Sequence, residues 1–517
     1  MGVAAMFALA MFAQAQPGIR QNGVVNSASR IPPTLAGGAI ARGALFTIYG
    51  VRLGSAGHTQ VTVSSGGKSA QVHLLSASTE QIDAEMPPSA TLGASDLMVK
   101  VDGLASRPFP MEVAAQNPGL FSRNGRGWGP GRIENIAAGE RLDNSTTNPA
   151  RLQQRVALFG TGFGDLTSFT VVVGGRAIKL ARAAAIRSKE KIEFRVPADA
   201  PEGCYVPVYV LAAPVRASNV VTMSIRSGPG PCLPGPVPLL DARAIGVAML
   251  SRTRMKAKYE DVDSVDDEAA VTFASKDDRP VLSPLLLLPP PGTCTAYTSS
   301  FQDDVALPNS ISAALISILK SRGLDAGSKL TISSGGQSRN VNLENGVPGY
   351  YRGRLGQIGP AASRRAPPLF LEPGDLTLAG TGGKDVGAFH VHFSAPASFE
   401  WTDRDSLASI TRGRTLLVRW RDPSDGHNIV ILATNVDQLS TAIGTCLCVA
   451  NSSAGGFAVP AAVLANLPVS RDIPGIPYDQ LYLASIGTGS PPSIQATGLE
   501  KGAVVSVYAI GRFVQYR

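Results

Sequence analysis

Polar and apolar residues alternate in short runs along most of this chain. Phe46 and Ile48 alternate with Thr47 and Tyr49, Val61 and Val63 flank Thr62, and Leu97, Val99 and Val101 recur at every second position. Runs of this period predict half-buried strands, whose side chains point alternately to core and solvent. The signal returns in Val156 and Leu158, in Phe169, Val171 and Val173, and in Val206, Val208 and Val210. Gly66-Gly67 and Gly174-Gly175 reverse the chain, since glycine turns without a Cβ clash. About seven short strands per hundred residues, with frequent turn signals, predict two-sheet sandwiches.

The recurrence is a repeat. Ile48-Tyr49-Gly50 with Leu53-Gly54 returns as Leu158-Phe159-Gly160 with Phe163-Gly164. Ile82 and Pro87 return as Ile192 and Pro197, and Gly93 as Gly203, always 110 residues apart. A constant offset over many positions marks a duplicated folding unit. The first unit is expected over 22–114 and the second, with a connector rich in Gly, Pro, Asn and Arg, over 115–227. Residues 228–240 form a Pro/Gly linker and a boundary.

Beyond the linker the β pattern continues in Ile245–Met255, Ala269–Phe273, Lys329–Ile332, Leu376–Leu378 and Phe389–Phe393. Ile311, Ala314, Leu315 and Leu319 recur at helical spacing, which predicts one short helix over Ser310–Arg322. Leu416, Val418 and Trp420 share one strand face, with Arg419 and Arg421 on the other; Ile429, Ile431 and Ala433 repeat the alternation. Trp420 reads as a core anchor. These patterns divide the second half into a β-rich domain, 241–394, and a C-terminal β-sandwich, 395–517. The fold class is all-β: tandem immunoglobulin-like sandwiches followed by further β-rich sandwich domains with one short inserted helix.

Composition sharpens the picture only in part. The 517 residues exceed one core, and 44% hydrophobic with 17% charged residues is globular material. Val3 to Ala13 is apolar and uncharged, and Ala13-Gln14-Ala15 fits a small-x-small cleavage step, so residues 1–15 are expected to be a signal peptide. No Lys or Arg precedes Arg20, which leaves a buried N-terminal helix as the alternative. No transmembrane segment is expected; Leu285–Leu288 is closed by three prolines. Five cysteines suit an oxidising compartment. Cys204 and Cys232 flank the last strands of the second repeat and are expected to pair, which would remove about 3.5 kcal/mol of chain entropy from the unfolded state. Cys446 or Cys448 could pair with Cys294, leaving one thiol over.

The net charge of +8 is uneven. Nine basic residues face three acidic ones between Arg151 and Arg195, which favours an anionic partner. The expected patch is Arg176, Lys179, Arg182, Arg187, Lys189 and Lys191, with a solvated outer sheet face as the plain alternative.

The doubled I-x-G-x-x-F/L-G element, followed by V-x-V-G-G and a strand ending in Val-Pro, resembles the IPT/TIG immunoglobulin-like fold. The whole chain is similar to a family of uncharacterised secreted bacterial proteins abundant in acidobacteria. The similarity rests on Gly23-Val24-Val25-Asn26-Ser27-Ala28-Ser29, on Asn117 to Phe121, on Asn148 to Ala150, and on Gly292-Thr293-Cys294-Thr295, Asp385 to Phe389, Phe399 to Thr402 and Phe457 to Pro460 in the second half. It covers most of the chain from about residue 22. It implies an extracellular β protein and supplies no catalytic residues.

Candidate chemistry is sparse. Gly160-Thr161-Gly162-Phe163-Gly164 follows a strand like a phosphate loop, but a further β run follows where a nucleotide site needs a helix N-terminus, so it reads as a turn. His390 and His392 share a strand face without a marked third ligand. Asp261, Asp263, Asp266, Asp267 and Glu268 lack the EF-hand spacing and read as an acidic loop. No G-x-S-x-G elbow or H-E-x-x-H helix occurs. The expectation is therefore a secreted, non-enzymatic binding, adhesion or structural protein, without cofactor or metal, whose partner is an anionic polysaccharide or another extracellular macromolecule. One alternative is an extracellular enzyme with its centre in 241–394. The other is an IPT-type DNA-binding protein, which export would exclude; nucleic acid is not expected as a partner.

Overall fold

The computed structural model describes residues 16–517 apart from 138, 165–167, 182–185, 189–190, 214–215, 233–241, 257–261, 276–286, 301–321, 361, 396–397, 438–441 and 472–478. The expected leader, 1–15, and the expected helix up to residue 321 lie outside the described residues. Arg322, placed at the end of that helix, begins the strand Arg322–Gly323. The α-helix among the described residues is a single turn, Ala461–Leu464, too short to show a period in the sequence.

The first repeat is a sandwich with immunoglobulin strand order. One sheet runs A–B–E–D, strands Gly18–Asn26, Leu45–Val51, Gln81–Glu85 and His73–Ala77. The other runs A′–G–F–C–C′, strands Ile40–Ala41, Phe109–Ala114, Gly93–Val101, Thr59–Ser65 and Lys68–Gln71. Strand A′ lies parallel to G, with Ile40 opposite Val113; the other pairs are antiparallel. Alternation drives the closure: Val61, Val63, Leu97 and Val99 point inward and meet Phe46, Ile48 and Ile82.

The second repeat rebuilds the same sandwich. Strands A Ile133–Ala137, B Arg155–Thr161, E Lys191–Arg195 and D Ile186–Ser188 form one sheet; G Val221–Ile225, F Gly203–Ala213, C Ser168–Val173 and C′ Arg176–Ala181 form the core of the other. The duplication extends to register, since Ile48 faces Ile82 in the first module and Leu158 faces Ile192 in the second. The C–C′ turns need two consecutive positive φ angles, +56° and +77° at Gly66 and Gly67, and +53° and +82° at Gly174 and Gly175. Such a pair is the type I′ turn that matches strand twist. A third copy closes the hairpin of Lys329–Ser334 with Gln337–Leu343, at Gly335 and Gly336.

Among the described residues, the second half is organised around a 13-stranded sheet. Its order begins Thr293–Ser300, Ala442–Asn451, His427–Asp437, Gln480–Gly487, Lys501–Phe513, Ala244–Lys256 and Asp263–Ser275. It continues through Tyr350–Ile358, Gln337–Leu343, Lys329–Ser334, Asp375–Gly380 and Phe389–Ser394, with Arg322–Gly323 added beside Asp263–Ser275. Hydrogen bonding does not stop at the division expected at 394/395: Ala244–Lys256 lies parallel to Lys501–Phe513, from Ile245 opposite Lys501 to Lys256 opposite Arg512. Period-two patterning reports which face is buried and not which strand lies alongside. A smaller sheet of Glu400–Trp401, Leu416–Arg421 and Gly456–Val459 places Trp401, Val418 and Trp420 on Ile429, Ile431 and Cys448, making a sandwich layer.

The units are joined by side chains. Asn117 Nδ2 donates to the carbonyls of Gly37 and Ala39, both at 2.6 Å, and its backbone N–H donates to Gly162 O at 2.9 Å. Gly162, at φ +78°, sits so close that a Cβ would lie 2.4 Å from Asn117 O. Thr161 Oγ1 accepts from Leu45 N at 2.9 Å. Leu35 of the first module packs with Ala442 of the large sheet. The outer face of the second module carries Tyr205 and Tyr209, and these enter the large sheet's two flanking cores with Trp128, Val172 and Val220.

Candidate functional site

The predicted site residues fall in three places. Cys204 and Cys232 are joined as a disulfide and are buried among Trp128, Tyr205, Val247 and Met249, where the second module meets the large sheet. Arg176 and Lys179 stand on strand C′ of one sheet of the second module, and Lys191 on strand E of the other. Among the described residues, then, the expected patch is not one face. Strand parity sorts side chains within a sheet, but it does not say which sheet a strand joins. Arg182, Lys189 and the Arg187 side chain lie outside the described residues. Several neighbouring charges are already paired: Arg176 with Asp199 at 2.7 Å, and Arg155 and Arg141 with Glu193 at 2.8 and 2.7 Å. The hydrogen bond from Arg141 outweighs burial and holds the Glu193 carboxyl below its usual range.

The other motifs resolve structurally. The acidic stretch is not a loop over its described part: Asp263–Ser275 is a strand opposite Ala244–Lys256. Its carboxylates meet arginines, Asp267 with Arg252 at 2.8 Å, Glu268 with Arg352 at 3.2 Å, and Asp263 with Arg254 and Arg404 at 2.8 and 3.0 Å. Asp261 lies outside the described residues. Cys448 pairs with Cys294, leaving Cys446 as a buried thiol. His390 and His392 stand exposed with ring centres 6.0 Å apart, and His392 Nδ1 lies 3.0 Å from Thr377 Oγ1. The Gly160–Gly164 segment is the inter-module turn already described. No helix among the described residues is long and apolar enough to cross a membrane.

What the fold assembles, and no motif announced, is a cleft beside the Cys204–Cys232 disulfide. Strand F of the second module contributes Tyr205, and Glu202 precedes that strand; the chain before Thr293 contributes Pro289–Pro291, two sheet strands contribute Asn428 and Asn451 near their ends, and Thr488 follows the strand Gln480–Gly487. The cavity measures about 280 Å³. Asn428 and Asn451 face each other across adjacent strands. Asn428 Oδ1 is buried and has no hydrogen-bond partner among the described residues, an arrangement that costs about 1–3 kcal/mol unless a partner arrives. Glu202 accepts a hydrogen bond from Ser227 Oγ, which keeps its carboxyl below the usual range and therefore ionised at neutral pH. A second cavity, about 470 Å³, opens past Gly487 among Ser424, His427, Ser490, Pro491, Pro492 and Ser506.

No family model and no curated protein matches the chain. Among solved structures it is similar to a Bacteroides ovatus mixed-linkage glucan utilization locus SGBP-B in complex with a mixed-linkage heptasaccharide, at 11% identity, covering 66% of this chain and 76% of that one, TM-score 0.23. It is also similar to SGBP-B from a complex xyloglucan utilization locus in Bacteroides uniformis, at 10% identity over 96% and 99% of the two chains, TM-score 0.17. A titin I9–I11 tandem shares 8% identity over 67% and 92%, TM-score 0.14. Scores this low mean that no single superposition aligns the whole chains, so the ligands named for those proteins say nothing of this one.

Proposed function

We propose that this is a secreted, non-enzymatic binding protein in which two IPT/TIG-like modules and a large β-sheet hold a cleft for a polysaccharide. The observation that carries the reading is the cleft's chemistry. Its convergent polar groups are amides and hydroxyls, set between prolines and Tyr205. Such a lining hydrogen-bonds sugar hydroxyls while its apolar parts meet the C–H faces of the ring. Among the described residues Glu202 is the only carboxylate in the lining, whereas glycoside hydrolysis uses a pair. Two disulfides favour an oxidising compartment, and export would set aside the DNA-binding alternative. The IPT/TIG and acidobacterial-type resemblance belongs to the same proposal, supported by the 110-residue repeat.

The test is a glycan array probed with residues 16–517, wild type beside Asn451→Ala and beside charge reversal of Arg187, Lys189 and Lys191. Weakening by Asn451→Ala supports the cleft. Weakening only by charge reversal, with strong salt dependence, places binding of an acidic polymer on the basic segment instead. Hydrolysis of any arrayed glycan would favour the enzyme alternative.

A further inference from the structure

The two cavities flank one glycine. Ile486 and Gly487, at the end of the strand Gln480–Gly487, line both. The first cavity, about 280 Å³, falls below the range of about 300–1,000 Å³ common for ligand sites; together the two lie within it. Gly487 lies opposite His427, and Asn428, the next residue, lies opposite Ile486. The walls on either side of the glycine therefore come from one strand pair.

We propose that the two cavities are halves of a single groove that binds a neutral oligosaccharide, with Gly487 as the saddle over which the sugar chain passes. This rests on the polysaccharide-binding reading above and deepens it. Neutrality follows from the lining. Among the described residues neither half is lined by a lysine or arginine, and Glu202 places a negative charge at one end. An anionic polymer would meet repulsion there, with no permanently charged cation among the described lining residues to neutralise it. The other polar side chains are hydroxyls, amides and one imidazole: Asn428, Asn451 and Thr488 on one side of the saddle, Ser424, His427, Ser490 and Ser506 on the other. A modest rotation of Asn428 would turn its unpartnered Oδ1 to a ligand hydroxyl and relieve an unsatisfied acceptor. Pro289–Pro291 and Pro491–Pro492 give rigid walls at opposite ends, which lose little freedom when a ligand binds.

Gly487 also offers a clean test. Among the described residues, a Cβ built there would approach nothing closer than His427 Nε2 at 4.0 Å. The strand therefore accepts a side chain, and that side chain would stand in the saddle. The probes are length ladders of neutral gluco-, manno- and xylo-oligosaccharides, with oligouronates as the charged arm. Each is titrated calorimetrically into wild type, Gly487→Leu and Asn451→Ala, with thermal melts as folding controls. Wild-type affinity should climb once an oligomer is long enough for both halves. Gly487→Leu should remove that climb, by about tenfold for long oligomers, while leaving the short ones unchanged. Asn451→Ala should weaken short and long alike. If one ladder binds and Gly487→Leu keeps its full length dependence, the two cavities are separate sites; the single groove is overturned while the polysaccharide reading stands. If oligouronates bind more tightly than every neutral ladder, neutrality is overturned. If no ladder or parent polymer binds, the polysaccharide reading itself fails.

Discussion

Cys446 stands beside a disulfide and takes no part in it, its sulfur 3.9 Å from that of Cys448. Burial pushes its thiol from 9.0 up to about 12, so it stays protonated and unreactive in the folded chain. Native protein at pH 8 should therefore show no thiol towards Ellman's reagent, and denatured, unreduced protein should show one per chain. The sign of the pH effect follows. Between 9.0 and about 12 the unfolded chain has released this proton and the folded chain has not. The unfolded state then binds fewer protons, and stability falls as pH rises through that window. Tyr297, Tyr482 and Tyr516 are also raised by burial and add to the fall. Melting temperature should drop steadily above pH 9, and Cys446→Ala should make the drop shallower.

At the scale of elements, the strand pair Ala244–Lys256 and Asp263–Ser275 concentrates the charge of the second half. Asp267 is fully buried, grips Arg252 through both oxygens at 2.8 and 2.9 Å, and accepts the backbone N–H groups of Phe370 and Leu371 at 2.6 and 2.8 Å. Asp267→Ala leaves two backbone amides without an acceptor and the Arg252 guanidinium with the exposed Glu372 as its remaining partner, at 2.9 Å, and should cost about 3–5 kcal/mol in denaturant unfolding. Replacing both charges, as Arg252→Met with Asp267→Leu, should recover only part of this, because the Phe370 and Leu371 amides still lack an acceptor. Full recovery would mean that those amides find other partners. The basic strands of the second module act differently. Lys179 and Lys191 belong to separate sheets, so single reversals at the two should shift retention on a polyanion column independently and additively.

For the whole molecule, the second module is not a bead on a string. Its outer-face residues Tyr205, Tyr209, Val172 and Val220 lie in the same cores as Val430, Leu432, Ile431 and Tyr508 of the large sheet. Separating them would expose a contiguous apolar surface of a kind monomeric proteins rarely show. A fragment of residues 242–517 should self-associate on size exclusion and bind a hydrophobic dye, while 16–517 stays monodisperse and dye-silent. The junction between the first two modules is polar and local, so Asn117→Ala should act without dissolving either core. It should lower stability by about 1–3 kcal/mol and raise protease cleavage near residues 115–118. Cleavage unchanged from wild type would mean that Leu35 on Ala442 suffices to hold the first module.

Much of this was legible in the residues themselves. Alternation of side chains is a property of a strand in isolation, so Val61 and Val63, Val171 and Val173, and Leu416, Val418 and Trp420 announced their buried faces. Conformational demands are equally local: Gly66-Gly67 and Gly174-Gly175 imply their turns, and the third copy, Ser333-Ser334-Gly335-Gly336, was open to the same reading. The duplicated module, its register and the reach of Cys204 to Cys232 follow from a constant offset and short sequence distances. Partnership across the chain is different. Both Cys446 and Cys448 lie on Ala442–Asn451, so which of them reaches Cys294 depended on the register of that strand against Thr293–Ser300, which sets Cys294 opposite Cys448 and Ala296 opposite Cys446. That Asp263 and Asp267 are ion-paired, and that Lys179 and Lys191 part company, depended on sheet order. The cleft was least legible, because Glu202, Pro290, Asn428, Asn451 and Thr488 come from distant segments with no shared motif. A strand's own residues decide which way each side chain faces; what it then faces is decided by where the rest of the chain packs.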